Sequence, residues 1–323
     1  MAARTKSKVT PKYKTKYRVT NWPAYEASLR KRGDVTLWFD EEAILAWNAA
    51  TGGTPGGQRT YSNLAILTAM TLRTVFRLPL RQTEGFVASL IALMGLELDT
   101  PDHTTLSRRG RDVEVPMPAR SLGGAVHLVI DSTGLKMMGD GEWHAHKHRT
   151  SNRRRSWRKL HLGVDEQGFI LAWDLTGARV DDSPIGVSML EELDVTIKRF
   201  TAYGAYDSRA IYQAVAKAGT PDVTVVVPPS RRAAVDPAAV WPWDQRNAAI
   251  ERIAEVGRRQ WRKESGAHRQ ARAENAMFRY KRIIGDGLRS RSFNAQTREA
   301  MVAVRVLNRM TQLGKPSSVA IQT

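Results

Sequence analysis

The chain has 323 residues, 42% hydrophobic and 25% charged, a balance that supports one large or two smaller packed domains and excludes global disorder. Lys and Arg number 50 against 32 Asp and Glu, and the resulting net charge of +18 points to a polyanionic partner, nucleic acid ahead of an anionic membrane surface. The absence of cysteine excludes a disulfide framework and any thiolate metal site.

Residues 1–20 carry Arg4, Lys6, Lys8, Lys12, Lys14, Lys16 and Arg18 and no acid. They read as a flexible basic arm that orders on binding, or as a solubility tail, and they lack the apolar stretch of a secretory signal. A cytoplasmic protein is expected. Residues 21–120 follow a helical period. WFDEEAILAWNAA predicts a helix capped near Asp40, and YSNLAILTAMTLRTVF one capped by Ser62 or Asn63. FVASLIALMGLEL is short of the ~20 residues of a membrane span and contains Glu97, so it reads as a core helix, with no membrane partner. DTPDHTTLSRRGRDVE predicts a turn and a short basic helix, which together with the preceding helix make a helix-turn-helix-like segment exposing Ser107, Arg108, Arg109 and Arg111.

Beyond residue 120 the period changes. AVHLVID, WRKLHLGVD and FILAWDLTGA read as strands, SPIGVSMLEELDVTI as a helix, RFTAYGAYD as a strand, SRAIYQAVAKAG as a helix and VTVVVPPS as a strand. The order β-β-β-α-β-α-β predicts an α/β domain, residues 121–323, with a mixed sheet flanked by helices. Residues 229–262 show no clear period and read as an insertion, which Trp241 and Trp243 would plug onto the core. A long helix around ARAENAMFRYKRIIG and a last one, AQTREAMVAVRVLNRM, complete the chain.

Two acids stand out. Asp131 closes an apolar strand before Ser132, Thr133 and Gly134, at the open edge where sites lie, with a turn-capping role as the alternative. Glu274 lies on the predicted long helix with Lys281 seven residues on, so the two share one helix face. A carboxylate at a strand end and another on a later helix can converge on Mg²⁺, and two such ions ~3.5–4 Å apart suit in-line attack on a phosphodiester. In HAHKH, His144, His146 and His148 read as a polar loop ahead of a metal cluster. In RRRSWRK, Arg153, Arg154, Arg155, Arg158 and Lys159 around Trp157 combine phosphate-neutralising charge with a stacking surface; a basic hairpin with a buried Trp157 is the alternative.

NWPAYEASLRKRGDVTLWFDEEAI, LPLRQTEGFV through MGLELDTPDHTTLSRR, VIDSTGLK, GEWHAHKH, WRKLHLGVD, GAYDSR, ENAMFRYK and VLNRMTQLGKPSSV, in that order, resemble the insertion-sequence DDE transposases of the family numbered five. The resemblance runs from about residue 18 to the C-terminus and is weaker over 229–262. It implies a ribonuclease-H-like core, a DDE triad holding two Mg²⁺ (or Mn²⁺), cutting and joining of double-stranded DNA at terminal inverted repeats, a homo-oligomer on that DNA, and a nucleoid-associated protein. Asp131 and Glu274 match the first and last acids of the triad and Lys281 the family's helix lysine.

The second Asp falls on Tyr203: the family usually reads Asp-Gly-Ala-Tyr-Asp where this chain reads Tyr203-Gly204-Ala205-Tyr206-Asp207. A phenol with a reference pKa near ~10 is a poor ligand for a hard cation. Asp207 is the substitute to consider, but four extended residues cover roughly 13 Å, and its other role is to cap the following helix. Ala267 and Gln270 replace a Tyr and an Arg common in the family, with Arg269 one step away. Two readings follow: a transposase impaired by Tyr203, or a catalytically inactive DNA-binding relative acting as end-binder or repressor. A non-specific RNA binder would explain the charge alone.

Overall fold

The computed structural model describes residues 17–50, 58–118, 123–137 and 157–321. The arm up to Lys16, the three histidines of HAHKH and Arg153 to Arg155 lie outside the described residues. The end of the predicted arm is a strand, β1 (Tyr17–Val19), which pairs antiparallel with β8 (Ser318–Ala320) and ties the two ends of the chain together.

Five helices follow: α1 (Trp22–Lys31), α2 (Glu41–Leu45), α3 (Asn63–Val75), α4 (Leu80–Leu93) and α5 (His103–Arg109). Two caps, Asp40 and Ser62, start where the sequence places them, and a third is at Asp102. Asp40 accepts from the Ala43 N–H, Ser62 from Ala65, and Asp102 from Thr104 and Thr105, each satisfying an orphan donor of the first turn. Residues 94–102 join α4 to α5, a connection longer than the three- or four-residue turn of a helix-turn-helix.

The second region is a mixed sheet of β2 (Val126–Met137), β3 (Trp157–Val164), β4 (Ile170–Gly177), β5 (Ile197–Ala202), β6 (Gly219–Val226) and the short β7 (Gly287–Leu288). Its order is β4-β3-β2-β5-β6, with β3 antiparallel to both neighbours and β2, β5 and β6 parallel. Helices α6 (Asp182–Glu191) and α7 (Arg209–Ala218) cover one face, packing on Leu128, Ile130 and Phe200. The other face, built on Val129, Leu135, Leu160 and Leu162, is covered by α9 (Ala271–Arg279) and α10 (Phe293–Leu313). Between β6 and α9 runs α8 (Asp244–Glu264). The α10 helix is apolar on two sides: Ala303, Val304 and Leu307 close the sheet core, while Val302, Val306 and Met310 close the helical core of residues 38–115.

The expected order of strands and helices is the order observed, but three local expectations change. Strand β2 does not end at Asp131; it continues because Leu135 is fully buried, and because Gly134 leaves room for the Trp157 ring, which a Cβ there would approach to 3.1 Å. The supposed aperiodic insertion contains α8, broken only where Gly257 adopts a φ of 79°. Finally, the long helix around Glu274 is not continuous with residues 267–270. Gly266 turns the chain at a φ of 68°, Ala267–Gln270 form a 3-10 turn with both ends buried, and α9 passes into a π turn at Tyr280–Ile284. Ala267 and Gln270 therefore sit buried in the packed turn before α9, with Ala267 against Val226 and Trp261.

Candidate active site

Side chains alternate across a strand, so Val129, Asp131 and Thr133 point to the α9 side of the sheet while Ile130 and Ser132 point to the α6 side. In the parallel ladder Ile130 is opposite Ala202, and Asp131 and Tyr203 each follow by one residue, placing them on adjacent chains ~4.8 Å apart. The first turn of α9 delivers Glu274 from above, and the Tyr203 hydroxyl donates to its Oε1. Thus the structure brings Asp131, Tyr203 and Glu274 together.

The electrostatics are those of acids short of positive charge. Burial pushes the Asp131 carboxyl up to about 6; the Ser132 N–H, donating to Oδ1 at 2.7 Å, opposes that shift, while Glu274 and Asp182 reinforce it. Tyr203 is raised by burial and then by its hydrogen bond to Glu274 and the charges of Glu274 and Asp131, with Arg262 pulling weakly the other way. It stays a neutral donor at any ordinary pH. Asp182 was not singled out in sequence, although the Asp181-Asp182 pair before a helix could have flagged it. It acts on Asp131 from the opposite face, where it meets Lys159 at 3.3 Å and the buried His161 at 3.5 Å.

Asp207 does not join these residues. A 3-10 turn at Gly204–Tyr206 carries it away, and its side chain, 5% exposed, accepts from Arg246 Nε of α8 at 2.8 Å. It does not cap α7 either: Ser208 occupies that position and accepts from the Ile211 N–H. Arg246 in turn stacks on Trp243, which packs edge-on against Tyr212, so Trp243 anchors the α8 segment while Trp241 remains half exposed.

The predicted DNA-contact residues divide. Arg108 lines an open depression with Arg81 and Arg111. Arg109 is consumed internally, donating to the Tyr61 carbonyl and, at 2.7 Å, to Asn63 Oδ1, and so braces α5 against α3. Trp157, Arg158 and Lys159 lie on a strand, which separates them by face. Arg158 bonds Gln296 at 2.8 Å and stacks on Phe293, Lys159 bonds the Val180 carbonyl and Asp182, and Trp157 is 37% exposed on the Lys159 side. Lys281 is half-buried in the π turn, within electrostatic reach of Asp286.

Asp131 and Glu274 are the carboxylates this cluster offers. Both are hard oxygen donors, and the side chain beside them on the neighbouring strand is the neutral phenol of Tyr203, which is a poor ligand for a hard cation. Among the described residues no group of three His, Asp or Glu is placed to hold a metal.

The chain thus combines a mixed sheet flanked by helices with one acid on its central strand and a second on the helix that crosses it. A family model described as transposase DDE domain matches residues 122–309, and a second model of the same description matches residues 30–140. The first spans more than half of the chain, and the chain belongs to the DDE transposase family, enzymes that act on DNA and generally use divalent metal ions.

Proposed function

We propose that this chain is an insertion-sequence transposase that binds terminal inverted repeats and whose Mg²⁺-dependent strand cleavage and transfer are impaired by Tyr203. The observation that carries the reading is the convergence of Asp131 and Glu274 on Tyr203, whose hydroxyl takes one oxygen of Glu274. The strand order is that of a ribonuclease-H-like core, with Asp131 on its central strand. Asp131 and Glu274 hold a divalent ion, Mg²⁺ or Mn²⁺, which when bound supplies charge neutralisation at the scissile phosphate. Tyr203 neither neutralises a cation nor accepts a proton, so it withholds the third anionic contact and competes for Glu274.

DNA recognition falls to the basic residues that the fold leaves open, Arg108 and Arg111 of the α5 region, with Lys281, the arm and Arg153 to Arg155 adding charge. Bringing two ends together fits a homo-oligomer on DNA in the cytoplasm; no described helix is long and apolar enough to cross a membrane. The second reading, an end-binder or repressor without cleavage, is favoured by the same Tyr203–Glu274 bond. A strand-cleavage assay on end DNA with Mg²⁺ or Mn²⁺, comparing the chain with Tyr203→Asp, separates them. Weak cutting that rises in the variant supports the impaired enzyme; no cutting in either supports the binder.

A further inference from the structure

Arg73 is the anomaly of the helical region. It sits in the last turn of α3, following the unbroken buried run Ala65 to Leu72, and is itself only 7% exposed. Among the described residues its guanidinium has no hydrogen bond or ion pair, and its Nε is enclosed without a partner. A buried cation in that state is destabilising unless something neutralises it. The acid that acts on it, Glu299, is already engaged, accepting from the Arg289 N–H at 2.9 Å and the Ser290 N–H at 2.8 Å. Glu299 therefore shapes the loop between β7 and α10 and reaches Arg73 only through its charge, with no hydrogen bond or ion-pair contact.

Arg73 lines a cleft of about 380 Å³ between α3, α5 and that loop. Arg111, Arg289 and Arg291 share the lining, Ser290 and Ser292 add hydroxyls, and no acid lines it. Arg289 spends one nitrogen on the Leu78 carbonyl at 3.1 Å, whereas Arg291 is exposed. At the same rim begins α10, a 21-residue helix whose cap residue is Ser292, so its free N–H groups and positive dipole end add to the field. The cleft also runs on: Leu80, Ser107 and Arg111 are shared with the depression that holds Arg81 and Arg108. An extended basic track suits a polymer of phosphates better than a single small anion.

We propose that this cleft grips a backbone phosphate of double-stranded DNA and thereby fixes where the duplex lies relative to Asp131 and Glu274. The inference rests on the DNA-binding part of the proposed function. Its location follows from β7, whose Gly287 and Leu288 pair with Lys136 and Met137 of β2 just before the loop begins. From Asp131 to Met137 the strand advances about 20 Å at ~3.3 Å per residue, the length of roughly six base-pair steps.

The test is duplex binding by the full chain across a salt series, with Arg73→Met and Arg291→Ala. Each variant is expected to lose roughly five-fold in affinity near 0.15 M salt and to flatten the log K against log salt slope by about 0.9, the loss of one phosphate contact. Neutral methylphosphonates placed one at a time along the duplex should weaken the unaltered chain at a discrete position and leave Arg291→Ala indifferent there. Because Arg73 is buried, its variant is read only alongside its melting curve; the exposed Arg291 stands independently. Normal duplex binding with unchanged slopes in both variants overturns the cleft while leaving the DNA reading intact. Absence of duplex binding by the unaltered chain overturns both. Inorganic phosphate that raises the melting temperature of that non-binding chain but not of Arg73→Met would reassign the cleft to a free anion.

Discussion

The acid site and the basic cleft are mirror images in charge. At the first, Asp131 and Glu274 come together without a cation in contact; at the second, Arg73 has no hydrogen bond or ion pair among the described residues and no acid lines the cleft it shares with Arg291. Other charges are matched within the chain, Asp207 with Arg246 and Lys159 with Asp182. The contrast teaches that residue type alone does not mark a ligand site. Asp207 and Asp131 are both acids beside the expected metal position, and Arg109 and Arg108 are adjacent basic residues of one helix. In each pair only the member left unpartnered by the fold is available to something outside it.

The comparison can be broken most forcefully at the matched pair. Arg246→Met leaves Asp207 buried without its partner and should cost about 3–5 kcal/mol in denaturant unfolding, while Asp207→Asn should not diminish any strand cleavage. Cutting lost in Asp207→Asn with stability retained would make Asp207 the missing acid. Next comes Tyr203→Asp, which adds a third acid to the unmatched site. It should raise Mg²⁺-dependent cleavage by at least ~10–100-fold, equivalent to about 1.4–2.7 kcal/mol, and should make the melting temperature rise with added Mg²⁺ more than in the unaltered chain.

A smaller effect concerns pH. Asp131 has its folded pKa raised to about 6, above the ~3.9 of an unfolded Asp, so the folded state binds the extra proton. The stability this contributes is present below pH ~4, falls as pH rises through about 6, and is flat above. Asp131→Asn should remove that slope and stabilise the metal-free protein by about 1–2 kcal/mol at neutral pH, the group being partly open to solvent. Carboxyl NMR titration with a midpoint near 4 would contradict it. The smallest effect tests the cap beside Asp207: Ser208→Ala should cost ~1 kcal/mol in thermal unfolding and leave the Asp207–Arg246 pair in place.

Much of this organisation is legible in the chain, for local reasons. The caps at Asp40 and Ser62 depend on a side chain and a backbone N–H three residues on, and the strand and helix order of the sheet region depends on periodicity. Asp131, Glu274 and Tyr203 were found by motif, and the fold places them side by side. What could not be read depends on partners distant in sequence. Strand β2 runs on through D-S-T-G because Leu135 has a core to enter, and α8 is ordered by packing and by Arg246 reaching Asp207. Trp157, Arg158 and Lys159 looked like one basic surface until strand pairing sent them to two faces.

The sequence by itself therefore determined the charge excess, the element order and the candidate acids Asp131 and Glu274, because these are properties of residue type and short-range spacing. Only the tertiary structure decided which charges remain unspent. Whether Asp207 is a ligand or half of an ion pair, and whether Arg73 is a core defect or a phosphate grip, turns on which atoms occupy the neighbouring few ångströms, and in a folded chain those atoms come from residues far away along it.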